Sequence, residues 1–218
     1  SAGMPQRQYG WETIDNEGND KAVSMLGLAS ESDWVLYAPS TDKTLMRNFI
    51  AYNTMLDTRG QGSAMQTRFV EVFFNQNGNN TIGADDYRGV YVLMEKIKRD
   101  KNRVDIEELT KCDVTAPDIS GGYIFKKDKV SIDPDFTTNG GQGLQIVEPE
   151  VAVGDAQWTW LRNYVNTFEA ALNGASFGDP VTGYRAYIDE ESFMDNEWWV
   201  EVYKQIDGMR LSTYFTKD

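Results

Sequence analysis

The chain contains no histidine, and Cys112 is its only cysteine. The first absence excludes a Ser-His-Asp triad, a Cys-His pair and a His-ligated zinc centre. The second excludes an internal disulfide and a cysteine-based metal site, and gives Cys112 no evident role. Apolar residues never run to the roughly 20 that a membrane-spanning helix needs, so no membrane span is expected. Cations are scarce as well: 21 Lys and Arg stand against 34 Asp and Glu, a formal net charge of −13. Nucleic acid and anionic membranes would be repelled by such a chain. A cationic partner, or simply a solvated acidic surface, fits it. Any chemistry is left to carboxylates, Lys, Tyr, Ser or a bound cofactor. The opening SAGMPQRQYGWET has neither a start methionine nor a signal peptide and reads as a processed or trimmed end.

What is present is a globular composition, 40% hydrophobic and 12% aromatic over 218 residues. YGWETID (9–15) alternates like a strand, and DWVLYAP (33–39) is a second strand stopped by its proline. Asp42 is placed to cap a helix over KTLMRNFIAYNTML, in which Leu45, Phe49 and Leu56 repeat along one side. RFVEVFF (68–74) and GVYVLME (89–95) are the strongest strands, joined by a polar stretch too long for a tight hairpin turn. GGYIFKKD adds a strand, and the Gly- and Asp-rich run to Gly143 reads as irregular. Trp158, Leu161, Val165, Phe168 and Leu172 then keep a helical period that Gly174 ends. Asp189 caps a second helix, EESFMDNEWWVEVYKQI. There is no internal repeat or Pro-rich linker. Strands first and helices after predict an α+β chain: an antiparallel sheet lobe followed by a mainly helical lobe.

Two places invite a functional reading. VYVLMEKIKRDKNRVDI (90–106) begins as a buried strand and ends in cations: five of the eight residues from Lys96 to Arg103 are Lys or Arg. The backbone of Met94 to Ile97 is expected to lie open to the edge of a planar ligand. Lys96, Lys98, Arg99, Lys101 and Arg103 are expected to give a positive field for an anion. A solvated charge run at a strand end is the plainer alternative. In IDGMRLSTY, Asp207 follows a long aromatic helix and precedes a short apolar strand. That position suits a turn residue, and equally the carboxylate with which a phosphoryl-transfer enzyme orients an attacking hydroxyl. Where the protein-kinase spacing sets a metal-binding Asn after the catalytic Asp, this chain has Ser212.

MQTRFVEVFFN followed by YRGVYVLMEKIKRDKNRVDI resembles the core signature of the spore-coat protein H (CotH) kinase family. LGLASESDWVLYAPSTDKTLMRN, GGYIFKKDK, FGDPVTGYRAYIDEESF and IDGMRLSTYFTKD are similar to that family in the same order, and the likeness covers essentially the whole chain. The resemblance implies an atypical protein-kinase-like fold, a nucleotide held between the two lobes, and transfer of the ATP γ-phosphoryl group to Ser or Thr of a protein. It implies one kinase domain over 1–218, with about 1–95 as the sheet lobe and 96–218 as connection and helical lobe. Met94, Glu95 and Ile97 would then form the hinge against the adenine, Asp207 would be the catalytic acid of the DGxRxS segment, and Ser212 a metal contact. Arg7 would contact phosphate, in PQRQYGWET where family members read PKKQYGFET. ATP with Mg²⁺ or Mn²⁺ is the implied cofactor set.

This chain departs from the pattern at Gln6, where the family has its first Lys, and carries Arg for the second. Arg meets phosphate through a fork and is not equivalent to Lys. The family also continues to a WDFD-like metal-binding motif beyond Asp218, and has a Gly-rich start before Ser1. A chain truncated at both ends, and a poor catalyst by itself, is the expectation. The resemblance and the acidic charge point to a basic, Ser-rich protein substrate and to a bacterial secreted or cell-surface setting. The alternative is a catalytically inactive surface scaffold for binding or coat assembly.

Overall fold

The computed structural model describes residues 6–60, 62–129, 134–208 and 210–218. They form two units. The first ends at Ile97 but also takes in Asn102–Val104, and the second comprises Lys98–Lys101 and Asp105–Asp218. The architecture is α+β, with two antiparallel four-stranded sheets and three α-helices among the described residues.

In the first unit the strands are β1 (Tyr9–Glu12), β2 (Asp33–Tyr37), β3 (Thr67–Phe73) and β4 (Tyr87–Glu95), in the order β1-β2-β4-β3. VYVLM is apolar at every position because β4 is an inner strand whose two faces are both covered. On one face Trp34, Leu36, Tyr91, Leu93 and Val72 pack with Leu28 and Ala38. Trp34 has no exposed surface. Burying about 200 Å² of aromatic surface contributes roughly 5 kcal/mol as an upper figure. On the other face Met65, Val92 and Met94 meet Val35, Tyr37, Tyr52 and Ile97.

Helix α1 (Arg47–Arg59) lies on that second face. Phe49 stacks on Phe69 at 4.5 Å, and Asn53 Nδ2 donates to Thr67 Oγ1 at 2.7 Å. The helix begins four residues later than the sequence pattern predicts. Asp42 still serves its start: its carboxylate accepts from Thr44 N at 3.0 Å and Arg47 N at 2.9 Å. Leu45, at φ +60°, turns the chain out of helical geometry before Met46.

The second unit departs from the mainly helical expectation, because it holds a sheet of its own. Its strands are β5 (Tyr123–Lys127), β6 (Phe136–Thr137), β7 (Gly143–Glu148) and β8 (Thr213–Lys217), ordered β6-β7-β5-β8. β6 lies within the run that reads as irregular, β7 begins where that run ends at Gly143, and residues 130–133 of the run lie outside the described residues. Helix α2 (Ala156–Asn173) sets Leu161 and Val165 against Tyr123, Phe125, Phe136 and Leu144, realising the helical period of the sequence. Trp160 stacks on Tyr123 at 5.4 Å, and buried Gln157 donates to the carbonyls of Thr110 (2.9 Å) and Asp113 (3.1 Å). Helix α3 (Glu190–Tyr203) starts on Asp189, whose carboxylate accepts from Glu191 N at 3.0 Å, as the sequence predicts.

Candidate functional site

Beyond the end of β4 one of the cations is buried. Arg103 is 3% exposed; its Nη1 donates to the Lys96 carbonyl and its Nη2 to the Asp33 carbonyl, each at 2.9 Å. The guanidinium lies 5.4 Å from the ring centre of Trp34, a cation–π contact, and its Nε has no hydrogen-bond partner among the described residues. Lys96 Nζ pairs with Asp33 at 2.9 Å. In the second unit Arg99 pairs with Glu108 at 3.3 Å and Glu148 at 3.8 Å, and its amide donates to Glu148 Oε1 at 2.7 Å. The expected open positive field is thus corrected for three of its five cations: Lys96, Arg99 and Arg103 are neutralised or consumed locally. Arg103 in particular closes a strand end, and nothing in a charge run signals that one member is buried.

The three residues expected to form a hinge lie in one stretch of the first unit. Met94 sits in the ladder between Val35 of β2 and Thr67 of β3, with its side chain in the core and Ile97 packed beside it. Glu95 is 3% exposed and accepts from Gln66 N at 2.9 Å. Its own amide donates to the Gln66 carbonyl at 3.4 Å, and the Lys96 carbonyl is held by Arg103. The expectation that this backbone lies open from Met94 is therefore corrected as far as Lys96.

Arg7 is exposed just before β1. Its amide hydrogen-bonds the buried hydroxyl of Tyr91, a phenol whose pKa is raised chiefly by burial. The neighbouring Gln6 donates through Nε2 to the carbonyls of Arg88 (2.9 Å) and Val90 (3.4 Å). Gly89 between them has φ +101°, where a Cβ would be strained and would collide with Gln6 Nε2. The β3–β4 register shifts at the same point, between Val72 and Phe73. Gln6, where the family's Lys stands, is committed to holding this bulge. Pro5 of the same motif lies outside the described residues.

Asp207 and Ser212 both lie in the second unit, on the connection between α3 and β8. Lys204 ends α3 in left-handed geometry at φ +53°. The Asp207 carbonyl then accepts from Arg210 N at 2.8 Å and Leu211 N at 2.7 Å. Gly208 is required by close approach: a Cβ there would sit 2.6 Å from Val200 Cγ2. Thr213 Oγ1 donates to the Gly208 carbonyl at 2.6 Å, leading the chain into β8, and Ser212 is left-handed at φ +54°. Met209 of the motif lies outside the described residues. The Asp207 and Ser212 side chains are exposed, and the Asp207 carboxylate has no partner among the described residues. An unpartnered carboxylate on a turn fixed by its own backbone can accept a hydrogen bond or proton from an incoming hydroxyl.

The CotH kinase protein family model matches residues 1–218, the whole length. The chain belongs to the CotH kinase protein family. No curated protein and no solved structure gives a significant match. Membership of a kinase family suggests ATP and a divalent metal as cofactors. The described residues contain no group of three or more Asp, Glu, Cys or His able to hold a metal. Asp207 and Ser212 supply one carboxylate and one hydroxyl, too sparse a set to retain a hard cation unaided. No step is routed through a metal on these residues. No helix among the described residues is long and apolar enough to cross a membrane.

Proposed function

We propose that this CotH-family chain is an atypical protein-kinase-like domain that transfers the ATP γ-phosphoryl group to a Ser or Thr hydroxyl of a protein. The observation that carries the reading is the exposed carboxylate of Asp207, unpartnered among the described residues, in the segment that resembles the family's DGxRxS pattern. Asp207 accepts the hydrogen bond of the acceptor hydroxyl and orients it for attack. Arg7 contacts phosphate from its exposed position before β1. Ile97, half-buried beside the core, meets the base, while Met94, with its side chain in the core, and Glu95, bound to Gln66, hold the strand end in place. Ser212 would offer one hydroxyl to a divalent metal brought with the nucleotide. The substrate is a basic, Ser-rich protein of a secreted, coat or cell-surface layer, which the chain's net charge of −13 favours electrostatically.

A second reading, a CotH-type scaffold without catalysis, is favoured by one observation. Gln6 replaces the family's Lys and is bound to two backbone carbonyls. Incubation with γ-labelled ATP and Mg²⁺ or Mn²⁺, with a basic Ser-rich peptide as acceptor, separates the two. Asp207→Asn is expected to reduce transfer by about 10²-fold or more with nucleotide affinity retained. Nucleotide binding without transfer in the parent protein would select the scaffold, and transfer unchanged by Asp207→Asn would remove Asp207 from the mechanism.

A further inference from the structure

Helix α3 contains no buried residue along its length. Its inner side nevertheless packs: the Phe193 ring lies 6.3 Å from that of Phe215, Val200 covers Gly208, and Trp199 stacks on Tyr203 at 5.4 Å. Met194, Trp198 and Val202 follow one another at intervals of four, so they form a single ridge along the helix. All three are exposed, Trp198 to 69%, and Ile206 continues the apolar surface past the helix end at 85%. An exposed Trp flanked by aliphatic side chains is unusual on a solvated face and is the composition of an interface centre.

The charged residues of the helix itself are of one sign. Between Glu190 and Tyr203 the helix carries Glu190, Glu191, Asp195, Glu197 and Glu201 and not one Lys or Arg. Glu190 is engaged by Tyr184 at 2.6 Å and Arg185 at 2.9 Å, which hold its carboxyl below the usual range. Glu201 is met by Lys204 at 3.3 Å. Glu197 is exposed, one residue before Trp198. A second copy of the same helix would bring acids against acids, a like-charge arrangement that opposes self-pairing. A segment with apolar side chains on one side and Lys or Arg beside them satisfies both the ridge and its margin.

We propose that the outward face of α3, with Met194, Trp198 and Val202 as anchors and the helix carboxylates as margin, docks a cationic amphipathic segment of a protein partner. The proposal concerns binding and stands whether or not Asp207 is catalytic. The test is fluorescence anisotropy of a labelled Lys/Leu amphipathic peptide titrated with the full chain, beside a Glu/Leu peptide of the same pattern. Saturable binding of the Lys/Leu peptide alone is expected, weakening as salt rises. Trp198→Ala is expected to weaken it by about tenfold or more; the change is charge-neutral, so it separates the ridge from attraction to the acidic chain as a whole. Val202→Ala is a milder check, and Glu197→Lys should weaken binding again. Equal affinity in wild type and Trp198→Ala would overturn the proposal. Sedimentation showing self-association that Trp198→Ala abolishes would overturn it too, in favour of a second copy as occupant.

Discussion

Replacing Arg103 by Met keeps much of the side-chain volume and removes the two hydrogen bonds that close the β2 and β4 strand ends. Each runs from a charged guanidinium to a carbonyl at 2.9 Å, a class that contributes about 1.5–3 kcal/mol. The contact with Trp34 at 5.4 Å adds about 0.5–2 kcal/mol. Against this, folding removes the guanidinium almost wholly from water, which offsets several kcal/mol, and its Nε finds no partner among the described residues in return. Met would bury without that penalty but would leave the Lys96 and Asp33 carbonyls unmet. The balance is an expected loss of about 2–4 kcal/mol for Arg103→Met. Arg103→Lys should lose somewhat less, since an ammonium reaches one carbonyl where the fork reaches two. Urea unfolding followed by tryptophan emission reads the loss as a shift of midpoint at constant slope. Because the group is buried, the loss should be the same at low and high salt. The Lys96–Asp33 pair, whose Lys96 end reaches solvent, should by contrast weaken as salt rises. An Arg103→Met protein as stable as wild type would refute the reasoning, by showing that desolvation cancels both bonds.

Two other outcomes follow from the first unit. Gly89→Ala should destabilise the protein by about 1–3 kcal/mol through its positive φ and the collision with Gln6. Gln6→Ala in the same chain should recover part of that loss in a double-mutant cycle; strict additivity would mean that the two do not meet. Asp42 is held below the ordinary carboxylate value of 3.8, first by the Arg47 amide and then by Thr44. A folded value below the unfolded one gives stability that is present above 3.8 and is lost as pH falls through the folded value. Asp42→Asn should therefore flatten the acid limb of the melting-temperature profile below about pH 4. Parallel wild-type and variant profiles there would refute this.

How far the sequence foretold the structure differs from element to element. β4 was readable because both of its faces are covered, so VYVLM is apolar without alternation. α2 was readable because Leu161 and Val165 must meet the sheet at helical spacing. β7 was not, since Gly143–Glu148 is short and begins on a glycine, and its strand character depends on β5 twenty residues earlier. β5's other neighbour, β8, is contributed by the last residues of the chain, a pairing no local pattern encodes. In the candidate site, Asp207 stood out through its place between helix and strand and then through family likeness, whereas the turn beneath it rests on Gly208 and Thr213, whose contacts are local but not periodic. Arg103 was hidden among its neighbours: counting charges reveals a basic run and says nothing about which carbonyls need donors. Gln6 looked like a lost lysine and proved to be the donor that fits the gap above Gly89.

Arg103 also bears on where the first unit can be cut. It belongs to that unit together with Asn102 and Val104, yet Lys98–Lys101 of the second unit precede it in the chain. A gene fragment ending at Ile97 includes every strand of the sheet and α1, but omits the residue that caps β2 and β4. Such a fragment is not a smaller version of the unit; it is the unit with its closing stitch removed. Recombinant boundaries placed after Val104, or grafts that carry 98–104 along with the sheet, preserve what a cut at the end of the last strand discards.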